Sequence, residues 1–156
     1  MLPSMESFRP FADESNKIEG MGPATVKEMQ ALLDFLDQPI PSAEALEVYV
    51  QKVAPGHVLR DRVGLNVRVG NHIAPSGGPD IRERLHRRLM DRAKYTPYRN
   101  HLFYENLHPF TDGNGRSGRA LWLYEMAERD RLARPLALGF LHSFYYSTLE
   151  EQDNRE

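Results

Sequence analysis

Residues 108–119 read His-Pro-Phe-Thr-Asp-Gly-Asn-Gly-Arg-Ser-Gly-Arg, and the rest of the chain is best read outward from them. Gly113-Asn114-Gly115 offers successive backbone N–H groups with no Cβ at either glycine, and Asn tolerates left-handed geometry. At the start of a helix expected over Asn114 to Arg131, such a nest is an anion site, because unpaired N–H groups and the helix dipole both point outward. Arg116 and Arg119 are three apart and share one helix face a turn further on. Two guanidiniums beside a nest suit a ligand with several phosphates, which they can grip bidentately. Asp112 is a hard oxygen ligand of the type Mg²⁺ takes alongside phosphate oxygens. His108 precedes the loop, and its titration near neutrality suits proton removal from a hydroxyl nucleophile. Phe110 alternates with these polar residues and is expected to anchor the loop in the core.

Upstream of the loop, Pro97 opens a helix to about Leu107, and Asp80 is expected to cap another running to Lys94. Gly70 to Pro79, rich in Gly and Pro, reads as loop. Val63, Leu65, Val67 and Val69 alternate with Gly64, Asn66 and Arg68, a period of two. A β-hairpin is therefore expected between about Val58 and Ile73, with Arg60-Asp61 near its turn. Ser42 is the expected N-cap of a helix to about Val53, ended by Pro55-Gly56. Pro23 to Asp37 reads as an amphipathic helix with Val26, Met29, Leu32, Leu33 and Leu36 on one stripe. Phe11 to Ile18 reads as a short helix that Pro10 starts and Gly20 ends. Downstream, Pro135 to Glu150 is the last helix. The expected fold is mainly α, a helical bundle with one small β-hairpin.

Composition is compatible with that picture. The 156 residues carry 20 Lys+Arg against 22 Asp+Glu, a formal charge of −2, with 40% hydrophobic and 27% charged residues. This is ordinary globular composition, and the length suits one compact domain. Near-neutral charge argues against nucleic acid or an anionic membrane as partner. The run Arg82, Arg84, Arg87, Arg88, Arg92, Lys94 is interrupted by Glu83 and Asp91 and reads as a solvated helix face. No apolar run approaches the ~20 residues needed to span a bilayer. MLPSMESFRPF has neither the basic end nor the apolar stretch of a secretory signal. There are no cysteines, which excludes disulfides, thiol catalysis and Cys-ligated metal, and fits a cytoplasmic chain. His101 lies seven before His108 but lacks a third ligand set, so it is read as a hydrogen-bonded packing residue.

His108, Phe110, Asp112, Gly113, Asn114, Gly115, Arg116 and Arg119 match the signature His-x-Phe-x-Asp/Glu-Gly-Asn-Gly-Arg-x-x-Arg, so the chain resembles the Fic (filamentation induced by cyclic AMP) family. With residue frequencies of about 2–7%, such a match arises by chance on the order of 10⁻¹¹ per start. Around it, His101-Leu102-Phe103-Tyr104-Glu105-Asn106-Leu107 looks like the family's helix leading into the loop. Val67-Arg68-Val69-Gly70-Asn71-His72 resembles the edge and exit of its flap hairpin. The resemblance implies a Fic core over 55–150, N-terminal helices over 1–54 with an inhibitory helix at about 10–20, and a tail at 151–156.

The function it implies is transfer of AMP from ATP to a Ser, Thr or Tyr hydroxyl of a target protein, with self-modification and a homodimer left open. His108 would be the general base. Asp112 would hold Mg²⁺ between the α- and β-phosphates, and Gly113, Asn114 and Gly115 would cradle phosphates. Arg116 would neutralise the β-phosphate and Arg119 would hold the γ-phosphate. Val67, Arg68 and Val69 of the flap would pair with an extended target segment and register its hydroxyl against His108. Fic proteins of this kind often carry an inhibitory Ser/Thr-x-x-x-Glu-Gly/Asn segment, and Ser15-Asn16-Lys17-Ile18-Glu19-Gly20 matches it. Ser15 and Glu19 share a helix face, Gly20 supplies the left-handed stop, and an ion pair from Glu19 to Arg119 would turn ATP out of its productive pose. Removal of AMP from targets, use of another nucleotide, or a catalytically silent module that binds nucleotide or partner are the alternatives.

Overall fold

The structure, a computed structural model, describes residues 3–153; the last part of the expected tail, 154–156, lies outside them. Among the described residues are seven helices and one two-stranded antiparallel sheet: α1 (Met5–Ile18), α2 (Val26–Leu36), α3 (Ala43–Val53), β1 (Arg68–Val69), β2 (His72–Ile73), α4 (Pro79–Met90), α5 (Pro97–Leu107), α6 (Asn114–Glu128) and α7 (Ala133–Asp153). The mainly helical fold with a small hairpin is as expected. None of these helices is long and apolar enough to cross a membrane.

α6 is the central helix, and its residues from Arg116 to Met126 are buried without interruption. A helix covered on every side must be surrounded by others, and α1, α2, α3 and α5 all pack on it. Trp122 in its middle stacks on Phe11 of α1 at 6.3 Å between ring centroids and meets Phe140 of α7 edge-on at 5.2 Å. One apolar core runs from Phe8 and Met29 through Leu46, Ile81 and Leu107 to Leu123, so 1–54 and 55–150 share it.

Several boundaries differ from expectation, each for a local reason. α1 begins at Met5 and holds Pro10 within it. An interior proline costs about 3 kcal/mol, but continuing the helix past it buries Phe8 completely, and a phenylalanine returns about 1.5–3 kcal/mol when fully buried. α2 starts at Val26 because Thr25 and Glu28 form a capping box: Glu28 N donates to Thr25 Oγ1 at 3.1 Å and Thr25 N to Glu28 Oε1 at 2.9 Å. Val26, assigned to the apolar stripe, is 71% exposed, whereas Met29, Leu32 and Leu36 are buried. Ser42 caps α3 as expected, accepting from Ala45 N at 3.0 Å. α4 opens on Pro79, a first-turn residue whose missing N–H costs nothing there, with Gly78 and not Asp80 at the cap. It stops at Met90, and a 3₁₀ turn over Arg92–Lys94 follows. α6 ends at Glu128, short of Arg131. α7 runs on through Asp153 and breaks at Gly139 (φ 80°, ψ −173°), where Glu14 Oε1 accepts from Phe140 N at 2.6 Å and Leu141 N at 3.0 Å.

The hairpin is smaller and lies later than expected. Arg68 pairs with Ile73 and Val69 with His72, so the turn is Gly70-Asn71, inside the stretch read as loop, with Gly70 left-handed. Arg60-Asp61 is no turn. Leu59 instead bridges Phe110 of the 108–119 loop. Carbonyls and amides that a longer ladder needs are taken by side chains: Leu65 O and Pro75 O accept from Arg60 Nη1, and Gly77 N donates to Asn66 Oδ1.

Candidate functional site

The loop between α5 and α6 is held from three directions. At its start His108 is left-handed (φ 50°, ψ 62°) and ends α5. Beneath it lies Arg60, fully buried, whose guanidinium donates to four main-chain carbonyls: His108 O at 2.7 Å, Leu107 O at 2.8 Å, Pro75 O at 2.8 Å and Leu65 O at 3.0 Å. Burial without a carboxylate pulls the Arg60 pKa below the usual guanidinium range. This one side chain ties the roots of the flap to the loop that carries His108. Nothing in the Val58-Leu59-Arg60 stretch announces that role; the spacing predicts a turn near Arg60-Asp61.

In its middle, the loop is stapled by Asn114. Its Oδ1 accepts from Phe110 N and its Nδ2 donates to Phe110 O, both at 2.8 Å, while the Phe110 ring is completely buried. The expected anchoring by Phe110 is therefore present. The Asn114 amide, expected to cradle phosphate, is committed at both atoms to the backbone and shapes the loop instead. Thr111 N donates to Val58 O at 2.9 Å, and His57 Nδ1 lies 3.0 Å from Thr111 Oγ1. Gly113 is left-handed (φ 81°), and a Cβ there would press on Ala54 Cβ at 3.1 Å, so glycine is required twice over.

Asp112 is exposed, accepts from Gly113 N at 2.8 Å and has Oδ2 3.7 Å from His57 Nε2. A single exposed carboxylate fits a Mg²⁺ ion that takes its remaining ligands from water and phosphate. His108 is half-buried, and desolvation holds its pKa below the ordinary histidine value despite an opposing hydrogen bond to the backbone of Glu105. At neutral pH its ring is uncharged and able to accept a proton. His101, on α5, lies between Gly118 O at 3.2 Å and Glu105 Oε1 at 2.7 Å, the packing role expected of it. The hydrogen bond to His101 holds Glu105 below the usual carboxylate range.

The two arginines lie side by side under the N-terminal helices. Arg119 Nε donates to Ser15 Oγ at 2.7 Å, and its Nη2 donates to Ser15 O at 3.0 Å and Glu19 Oε1 at 2.8 Å. Glu19 is the C-cap of α1, and left-handed Gly20 (φ 74°) follows it. Residues 100 positions apart in the chain thus form one latch. The Glu19 carboxylate also sits against Gly115, where any Cβ would collide with it. A carboxylate is therefore lodged at the N-terminus of α6, where the helix dipole favours negative charge. Arg116 turns toward α2 and α3: its Nη1 donates to Val53 O at 2.6 Å and lies 3.5 Å from Glu28 Oε2. Arg116, Arg119 and Asn114 are each 6% exposed. Val69 and Ile73 of the hairpin are exposed, and His72 Nε2 lies 3.1 Å from Asn106 O, setting the hairpin beside the end of α5.

The structure thus brings Ser15, Glu19, Gly115 and Arg119 together in one place. It sets His108 and Asp112 on the adjoining loop and Arg68 and Val69 on a separate hairpin, with Val67 just before its first strand. Glu28 and Arg60 were not anticipated. The Thr25-x-x-Glu28 spacing was a legible signal for the first. Comparison with models of known families, with curated proteins and with solved structures finds no match to this chain.

Proposed function

We propose that this chain is a Fic-type protein adenylyltransferase in its braked state. The observation that carries the reading is the latch of Ser15 and Glu19 on Arg119, with the Glu19 carboxylate lodged over Gly115. A carboxylate held by an arginine at a helix N-terminus occupies ground a phosphate would take. Once α1 withdraws, the same donors face a nucleotide tail. The target hydroxyl oxygen attacks the α-phosphorus of ATP, the bond from that phosphorus to the bridging oxygen breaks, and pyrophosphate leaves. His108 takes the hydroxyl proton, with its ring neutral and its backbone fixed by Arg60. Mg²⁺ bound at Asp112 would offset phosphate charge. The backbone N–H groups of Asn114 and Gly115 and the Arg119 guanidinium hold the phosphates, the Gly113 N–H being taken by Asp112, and the exposed hairpin edge offers backbone groups to an extended target segment. The absence of cysteine fits a cytoplasmic setting.

The test is incubation of wild type, Glu19→Gly and His108→Ala with α-labelled ATP and Mg²⁺. Glu19→Gly is expected to label itself or added lysate strongly, wild type weakly and the His108 variant not at all. Equal labelling by wild type and Glu19→Gly would remove the brake, and retained labelling without His108 would remove the base. A silent nucleotide-binding module is the second reading, favoured by both arginines being already engaged within the fold. It requires that Glu19→Gly bind Mg·ATP without any transfer.

A further inference from the structure

We infer that Glu28 is a second carboxylate of the brake, holding Arg116 as Glu19 holds Arg119; the inference rests on the adenylyltransferase reading above. Glu28 is the third residue of α2, and its two oxygens face different ways. Oε1 serves the capping box and also accepts from Asn16 Nδ2 at 3.3 Å. Oε2 is directed at Arg116 Nη1, 3.5 Å away. The pair is screened from water, with the two side chains 7% and 16% exposed, so its charges are strongly felt.

Arg116 is engaged without being saturated. Its Nη1 has Val53 O, the Glu28 contact is long, and its Nε is buried without a partner. A guanidinium with a spare buried N–H gains from an acceptor that can fill it, and phosphate oxygens match its fork better than one distant carboxylate does. A cavity of about 10 Å³, no larger than a single water needs, is lined by Ser15, Asn16, Glu28, Tyr49 and Arg116 beside the pair.

Asn16 couples the two locks. It is buried next to Ser15 on α1, and its Nδ2 donates to both Gly22 O at 3.1 Å and Glu28. One turn of α1 therefore sends Ser15 to Arg119 and Asn16 to Glu28. Movement of α1 weakens both ion pairs, while removing Glu19 alone leaves Arg116 occupied. Arg116 lies in the first turn of α6 and Arg119 a turn further in; the adenylyltransferase reading gives the β-phosphate to Arg116 and the γ-phosphate to Arg119.

The experiment compares Mg·ADP and Mg·ATP binding by calorimetry to wild type, Glu19→Gly, and Glu19→Gly combined with Glu28→Gln. Gln Oε1 can keep the capping box and the Asn16 contact, while the group facing Arg116 loses both its charge and its acceptor. Adding Glu28→Gln to Glu19→Gly is expected to tighten Mg·ADP about tenfold, within the range of ordinary coupling between sites. Glu19→Gly by itself is expected to tighten Mg·ATP far more than Mg·ADP. Thr25→Ala, which weakens the cap and leaves the charge, is expected to lower stability without altering Mg·ADP affinity in the same background. Unchanged Mg·ADP affinity in the double variant, or an equal gain from Thr25→Ala, would overturn the second lock while leaving the first intact. Binding of neither nucleotide by Glu19→Gly would instead remove the functional reading on which both depend.

Discussion

Arg119 makes three hydrogen bonds to the end of α1 and its cap, two to Ser15 and one to Glu19, and only the last has a charged acceptor. The side chain of Glu19 is 38% exposed while that of Arg119 is 7% exposed, so the latch lies at the boundary between solvent and core. That placement makes it breakable, since water can take over the carboxylate when it lets go. If Arg119 is both the brake's anchor and the γ-phosphate ligand, Arg119→Ala should label poorly, and adding Glu19→Gly should restore nothing. A gain in that double variant, read with α-labelled ATP, would place the Glu19 effect elsewhere. His108 offers a second check at this scale. Burial lowers its pKa, so its neutral ring persists to more acidic pH than a free imidazole, which on the proposed reading extends the range in which it can act as base. The acid limb of kcat/KM for Glu19→Gly should accordingly fall below about 6.5, the ordinary histidine value. A midpoint above that value would mean that another group governs the rate.

At the scale of elements, the loop between α5 and α6 owes its shape to groups from outside it. Arg60 bonds the last carbonyl of α5, the His108 carbonyl and two carbonyls at the flap roots. Arg60→Met would bury those acceptors without donors, at about 1–3 kcal/mol for each group left unsatisfied. A loss of at least about 3 kcal/mol in urea unfolding is expected, with partial recovery in Arg60→Lys, whose single ammonium cannot span all of them. A loss below 1 kcal/mol, on the order of an exposed substitution, would show that water replaces the guanidinium freely. The alternation from Val63 to Val69 predicts longer strands than the two-residue β1 and β2. Alternation indicates which side chains can face one way, but a ladder also needs free backbone groups. Here Arg60 and Asn66 had already taken them. Spacing likewise put Val26 on the apolar stripe, but it is the first residue of α2 and stays exposed while Met29, Leu32 and Leu36 are buried.

Across the whole molecule, α6 collects polar contacts as well as apolar ones. Glu125 on its buried face accepts from Asn100 Nδ2 at 2.5 Å, and Asn100 Oδ1 accepts from Arg88 Nε at 2.8 Å. Burial pushes the Glu125 carboxyl up to about 7, with the Asn100 hydrogen bond only partly opposing it. The folded state therefore holds a proton that the unfolded chain has released between its ordinary value of 4.5 and about 7. The stabilising contribution is full below the lower value and is lost as pH rises through the upper one. Glu125→Gln should flatten the pH dependence of thermal unfolding in that window and exceed wild type at pH 8 by about 1–3 kcal/mol, at ~1.4 kcal/mol per pKa unit. Parallel curves for the two proteins would show that Glu125 is ionised throughout.

Spacing along the chain was enough to determine that the molecule is helical with one small hairpin, that Gly113-Asn114-Gly115 opens a helix, and that Ser15 and Glu19 share a face one turn long. Those properties depend on residues within a few positions of one another, where period, cap and glycine geometry act directly. Tertiary structure alone decided that Glu19 reaches Arg119, that Arg116 is shared with Val53 and Glu28, and that Arg60 lies beneath His108. Each of those contacts joins segments far apart in sequence. Such contacts form because α6 must be covered on every side, and the polar groups carried in with the covering helices have to find partners where they are buried.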